Sequence, residues 1–327
     1  MNATERSIVE QFPLWERATA PLPKLDPALP VVLVGCGTSL HIAQSVAAAL
    51  TLAGVQAWSV AGGEWWLRPQ AYSLPGRPVQ VIVLSRSGET TEAVRAARRS
   101  RADGLPVIAI TVTPDSSLAR AADTVVLAET HPEEGVVMTA SASLMLLLGL
   151  RLAGIDTAGA AAAAAGLLQE VGRCAGTVLE GRTQAVFLGG GPLHGIAREA
   201  ALKMQEMSLT PAEAYPTLDY RHGPIALADA GTLAVMLHAA DAAPDETALA
   251  GELEQRGVRV LGLGGPGTVS LAIPGPPALR PLVCLPALQI LGERQAGRRG
   301  LDTTRPRGLS KVVSLPDQGR LSPKAGT

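Results

Sequence analysis

Val31-Val32-Leu33-Val34-Gly35-Cys36-Gly37 is an unbroken apolar run that ends in small residues, and it returns as Ala185-Val186-Phe187-Leu188-Gly189-Gly190-Gly191. Val81-Ile82-Val83-Leu84-Ser85 returns as Leu233-Ala234-Val235-Met236-Leu237, and residues 105–111 return as 258–264. The members of each pair stand roughly 150 residues apart, a natural domain length. Three apolar runs sharing one offset imply one fold built twice. Runs of Val, Ile and Leu without alternation are strands buried on both faces, as in parallel sheets covered by helices. Helices are expected over 41–53, 89–102 and 141–152, with a further strand over 124–128. This alternation predicts an α/β chain of two flavodoxin-like three-layer αβα domains with parallel sheets, related as an internal repeat. The expected division is a separate helical lead-in over 1–20, broken at Phe12-Pro13, then a first domain over 21–156 and a second over 157–313. The second is entered through an Ala-rich helix at 157–170, and a tail over 314–327 is expected to be poorly ordered.

Composition narrows the function. At 327 residues with 47% hydrophobic residues, the chain can fill two cores. A net charge of −1 argues against a nucleic-acid partner, which demands a basic face. The three cysteines, Cys36, Cys174 and Cys284, are widely spaced and read as thiols in a reducing compartment. The first residues lack the apolar core of a signal peptide, and the apolar stretch 135–150 is too short to span a membrane. A cytoplasmic protein without metal or organic cofactor is expected, with no membrane partner.

In parallel sheets, ligands gather at the carboxyl ends of strands. Two such ends in the first half carry hydroxyls: Gly35-Cys36-Gly37-Thr38-Ser39 and Ser85-Arg86-Ser87-Gly88-Glu89-Thr90. Small residues let backbone N–H groups approach an anion, hydroxyls donate to phosphate oxygens, and Arg86 offers a charge-assisted bond. A dinucleotide fingerprint is excluded because Leu40 stands where its third glycine belongs. Helix capping by Ser87 explains one such turn. Two turns at matching strand ends favour a phosphate cradle.

A second group lies in the second half. Glu199, Lys203 and Glu206 follow the spacing i, i+4, i+7 and share one helix face. They read either as a solvated ion-pair stripe or as a base, Glu206, beside a Glu199–Lys203 pair. His222 precedes Gly223-Pro224 and reads equally as a turn residue or a proton shuttle. Lys311 is an ordinary tail lysine or an amine able to form an imine. His41 and His194 read as helix starters, His238 as a buried residue of a strand end, and Met204 and Met207 as core.

These turns resemble the phosphosugar-binding loops of the SIS (sugar isomerase) family. The run 197–208, then Ala212-Glu213-Ala214-Tyr215, Arg221-His222-Gly223-Pro224 and the tail 302–311, are similar to the isomerase half of glucosamine-fructose-6-phosphate aminotransferase and to stand-alone amino-sugar phosphate deaminase/isomerases. The resemblance implies that Glu206 is the base, His222 the ring-opening histidine and Lys311 the imine-forming lysine, with Glu199 and Lys203 supporting the base. It implies phosphate ligands at Thr38, Ser39, Ser85, Ser87 and Thr90, with Arg86 where the aminotransferase has an amide. Gly37, Val137 and Thr139 are expected to line the substrate site. Met138-Thr139-Ala140 stands where the aminotransferase has Ser-Thr-Lys, and the chain begins Met1-Asn2 with no N-terminal cysteine nucleophile. These departures imply no glutaminase domain. They favour breakdown of a hexosamine 6-phosphate, glucosamine 6-phosphate to fructose 6-phosphate and ammonia, over its synthesis. A plain aldose–ketose isomerase and a phosphosugar sensor are the alternatives. A homodimer is expected, as in tandem SIS relatives.

Overall fold

A computed structural model of the chain describes residues 1–74, 76–241 and 243–315. It opens with two short helices, α1 (Ala3–Val9) and α2 (Phe12–Arg17). The first half then runs β1 (Val31–Gly35), α3 (Thr38–Leu52), β2 (Ala57–Ala61), α4 (Gly62–Leu67), β3 (Gln80–Leu84), α5 (Thr91–Ala102), β4 (Val107–Thr111), α6 (Ser117–Ala121), β5 (Thr124–Leu127) and α7 (Ala140–Leu152). The second half runs α8 (Ala160–Leu179), β6 (Gln184–Gly189), α9 (Pro192–Ser208), β7 (Ala212–Tyr215), β8 (Thr232–Leu237), α10 (Ala243–Gln255), β9 (Arg259–Leu263), β10 (Val269–Leu271) and α11 (Arg280–Arg298).

Two five-stranded parallel sheets result, ordered β2-β1-β3-β4-β5 and β10-β9-β8-β6-β7. Read from its other edge, the second order repeats the first strand for strand. Both are the flavodoxin-like 2-1-3-4-5 order, whose direction reverses between its first and third strands. β1, β3, β4 and β8 are buried along their whole length, which is why they lack alternation. β2, β7 and β10 went unpredicted because they are partly exposed edge strands.

One apolar core joins the two halves. It takes in α3, α7, α8, α9 and α11, while smaller clusters fill the outer faces. The lead-in is not a separate unit. Asn2 donates to Glu293 of α11 at 2.7 Å, Glu5 pairs with Arg294 at 2.7 Å, and Ile8 and Trp15 are buried in the shared core. Phe12-Pro13 opens α2, with Pro13 in the first turn where its missing N–H costs nothing. The described part of the tail, 301–315, carries no helix or strand. The segment expected to be poorly ordered lies almost wholly outside the described residues. Among the described residues, no helix is long and apolar enough to cross a membrane.

Candidate functional site

The two expected turns meet at the order reversal of the first sheet. α3 begins at Thr38, three residues before its expected start, because Gly37 turns the chain so that the Cys36 and Gly37 carbonyls accept from Ser39, Leu40 and His41. α5 begins at Thr91. Neither Gly37 nor Thr90, the two N-cap residues, makes a side-chain capping bond, so no capping side chain blocks either helix end. The capping role weighed for Ser87 is not what it does: its hydroxyl accepts from the Glu89 N–H at 3.1 Å inside the turn. Ser85 accepts from the Gly88 N–H at 3.2 Å. Gly88 sits at φ +63°, and a Cβ there would lie 2.1 Å from Ser116 Oγ, so the turn requires glycine.

Ser39, Ser85, Ser87 and Thr90 line one small cavity together with Cys36, Arg86, Met138 and Lys311. Its volume of about 50 Å³ has room for a few waters. A hollow of about 500 Å³ between α2, α7 and α8 is larger, but its lining of Trp15, Arg151, Asp156 and alanines offers no comparable set of hydroxyls at strand ends. The second sheet's order reversal also lacks them, since Pro192, Leu193 and Leu237 stand where the first copy has Thr38, Ser39 and Ser85.

Five expected site residues have other duties. Thr38 donates its hydroxyl to Glu199 at 3.1 Å. Arg86 is buried and donates to the carbonyls of Gly135, Val136 and Lys311 at 2.9, 3.0 and 3.0 Å, so it fastens the tail to the loop before α7. Burial pushes its pKa down, offset by the Glu134 and Glu206 charges. Thr139 is fully buried, hydrogen-bonded to Ser7 at 2.6 Å and to Glu134 at 3.2 Å, and so faces the core and not the cavity. Val137 is likewise buried in the core, and Met138 lines the cavity instead. Gly37 contributes the N-cap of α3 but no wall.

The residue that sequence reasoning missed is Glu134. Its Oε1 accepts from Ser141 N and Oγ at 3.1 and 2.9 Å and from Thr139, capping α7 from outside the helix. Its carbonyl accepts from Lys311 Nζ at 3.2 Å. A carboxylate five residues ahead of Thr139, at the start of an apolar helix, was the available signal. Cys36 was read only as a thiol in a reducing compartment. It borders the cavity, and its pKa is pushed up to about 11 by burial and then by Glu92, against a lowering bond from Gly62.

The α9 stripe is not solvated. Glu199 and Lys203 are 0% and 1% exposed, and Glu206 at 20% is the member that reaches solvent. Lys203 Nζ lies 3.5 Å from Glu199 and pairs closely with Glu206. Burial alone would lower the lysine pKa, but the two carboxylates outweigh it and hold it above the usual value. The Glu206 charge also acts on Arg86 at the cavity wall. His222 is exposed, follows a 3-10 turn over Thr217–Arg221, and is not brought to the cavity within this chain. His238 is buried, its Nε2 3.0 Å from the Pro266 carbonyl, and Met204 and Met207 are core.

Comparison with known proteins gives this geometry a context. The SIS domain family model matches residues 25–153 and 179–272. Glutamine–fructose-6-phosphate aminotransferase (isomerizing) of Aeropyrum pernix is 32% identical over 318 residues, covering 87% of this chain and 51% of the relative. The Pyrobaculum aerophilum enzyme of that name is 29% identical over 311 residues, with the same coverage of 87% and 51%. The chain thus spans about half the length of the curated relatives it matches. The crystal structure of glucosamine-6-phosphate deaminase from Thermotoga maritima superposes with a TM-score of 0.83 at 29% identity, covering 96% of this chain and 100% of that one. Tagatose-6-phosphate ketose/aldose isomerase from Escherichia coli shares the fold, with a TM-score of 0.78 at 22% identity over 91% and 93% of the two chains.

Proposed function

The chain belongs to the SIS domain family, and from that premise we propose that it is an enzyme that deaminates and isomerises a hexosamine 6-phosphate, with glucosamine 6-phosphate giving fructose 6-phosphate and ammonia. The observation that carries this reading is the meeting of two strand-end turns and their hydroxyls on one cavity, with the Glu206 charge acting on Arg86 in its wall. The phosphate sits on the α3 and α5 ends, held by Ser39, Ser85, Ser87 and Thr90. Arg86 keeps the tail in place and leaves the phosphate to neutral donors.

Glu206 carries the proton. In the open-chain substrate the C1 aldehyde acidifies the C2 hydrogen. Glu206, which reaches solvent and exchanges its proton there, removes it and delivers a proton to C1, which turns the amino aldehyde into a C2 imine. Water adds to C2 and ammonia leaves, so one water is consumed and one ammonia released with no net redox change. Lys203 holds Glu206 in place through a charge-assisted bond. Lys311 enters with the tail and holds the open sugar through its carbonyl. His222 opens the ring from a second copy in a homodimer, since its own cavity lies out of its reach.

Support for deamination over synthesis comes from Met138-Thr139-Ala140 and from the end-to-end match with the Thermotoga maritima deaminase. The test is incubation of the chain with glucosamine 6-phosphate and no other substrate. Equal amounts of ammonia and fructose 6-phosphate support the reading. Interconversion of a neutral aldose and ketose phosphate without ammonia release makes the chain a plain isomerase. Tight binding without turnover makes it a sensor.

A further inference from the structure

The register that sets Val31 on Ala185 also sets Gly37 on Gly191, His41 on Gly195 and Ser45 on Glu199. The structure obeys it: Gly37 and Gly191, the N-caps of α3 and α9, have φ/ψ of 54/−125° and 52/−128°. α3 and α9 are therefore equivalent helices, and they pack against each other across the internal repeat. A symmetric contact should look the same from both sides, and this one does not. On one side Gly195 lets the backbones touch, since a Cβ there would lie 2.5 Å from the His41 carbonyl oxygen and 2.6 Å from Ser45 N. Ser45 on that side donates to the Pro192 carbonyl at 2.8 Å. On the other side stand His41 and Glu199, with His41 Nδ1 3.3 Å from Glu199 Oε2 and Thr38 Oγ1 3.1 Å from Glu199 Oε1.

Close packing alone has the Gly195–Ser45 solution at hand. The side that holds Thr38, at the start of α3, has instead a histidine and a fully buried carboxylate, the costlier choice unless every polar atom is used. The carboxylate is used: Oε2 takes His41, and Oε1 takes Thr38 and Lys203. Lys203 in turn holds Glu206.

We propose that His41 is a positioning residue for proton transfer: by donating from Nδ1 it clasps Glu199 to α3, and so fixes Lys203 and Glu206 on α9 at a set distance from the phosphate cradle at the start of α3. This inference rests on the reading of Glu206 as the base. An ionised carboxylate only accepts, so the clasp demands the Nδ1–H form of the ring. The other charged groups near His41 are His194, Arg198 and Lys203 on α9. His194 is held below its usual pKa by burial and by the Arg198 charge, and Arg198 is engaged by Gln44 at 2.8 Å. Arg198 and Lys203 are donors only, and His194 Nδ1 has no hydrogen-bond partner, so none of the three bonds to His41 Nδ1.

The test pairs kinetics with a measurement that needs no turnover. His41→Ala removes the donor, while His41→Asn places an amide N–H where Nδ1 stood. With glucosamine 6-phosphate, His41→Ala is expected to lower kcat about tenfold, the worth of one charge-assisted bond. KM should stay within about twofold, because the cradle is untouched, and His41→Asn should recover most of the loss. Equal impairment of both variants, unchanged kcat, or a loss confined to KM overturns the proposal. If the wild-type chain turns over no sugar phosphate, the reading of function fails but the clasp is still decided by nitrogen-15 NMR of the neutral ring. A dominant Nδ1–H tautomer for His41 upholds it, and the Nε2–H tautomer usual in water overturns it.

Discussion

Gly195→Ala is the sharpest structural test of how the two copies are joined. The added Cβ would meet backbone atoms of His41 and Ser45 at 2.5 and 2.6 Å, and no side-chain rotation relieves a clash with backbone. Ordinary contact begins near 3.4 Å, so α3 and α9 must part by about 1 Å. Overpacking of this kind costs about 1–3 kcal/mol. The same shift stretches the Ser45–Pro192 and Arg198–Gln44 bonds, both 2.8 Å, each worth about 1 kcal/mol. Alanine returns about 1 kcal/mol through its better helix propensity. The net expectation is a loss of about 2–4 kcal/mol, read in urea as a lowered midpoint with an unchanged slope. Turnover should fall as well, because the parting loosens the bonds from Thr38 and His41 to Glu199. Gly190→Ala, whose Cβ would meet nothing within 4 Å, is the control and should be neutral. A Gly195→Ala protein within about 0.5 kcal/mol of wild type would refute the account of this contact.

Three further outcomes follow from the same geometry. Lys203→Met leaves Glu199 buried beside an empty cationic position, and a loss of about 3–5 kcal/mol is expected in denaturant titration. Because the folded pKa of Lys203 is raised, its stabilisation is complete below the unfolded value of about 10.4 and disappears only as pH climbs through the folded one. The difference between variant and wild type should therefore stay flat through neutral pH and shrink only in alkali. Cys36, with its pKa near 11, should have about one thiol in a thousand ionised at pH 8, so iodoacetamide labelling followed by mass spectrometry should be slow and should quicken steadily up to about pH 11. Arg86→Ala releases three carbonyls of the tail and the loop before α7, and trypsin should then cut at Arg307 or Lys311 at least about tenfold faster than in wild type.

The duplicated runs made the sheets legible because a strand buried on both faces has no choice but to be apolar throughout. Ser39, Ser85, Ser87 and Thr90 were legible for a similar reason: hydroxyls at the ends of two such strands must converge at the order reversal. Thr38 and Arg86 misled, since residue type shows what a side chain can bond and not which partner reaches it first. Glu199 took the Thr38 hydroxyl, and backbone carbonyls took the Arg86 guanidinium. Thr139 and Val137 turned inward because the lead-in packs against α7 and α11, a long-range contact that local pattern does not encode. Glu134 escaped notice because its partners, Thr139 and Ser141, identify it only after the loop has folded back. The Glu199–Lys203–Glu206 spacing placed three charges on one face, but only the tertiary structure shows that the face is buried.

The central claim is that Glu206 moves a carbon-bound proton in a phosphosugar held at the first copy's order reversal. The most direct measurement follows turnover of glucosamine 6-phosphate in deuterium oxide, with deuterium at C1 of the fructose 6-phosphate read by mass spectrometry, for the wild-type chain and for Glu206→Gln. The account predicts deuterium at C1 in the wild type, with at least a hundredfold slower conversion in the variant, about the contribution of a general base, and with sugar-phosphate binding retained. Conversion at the wild-type rate in Glu206→Gln would contradict it.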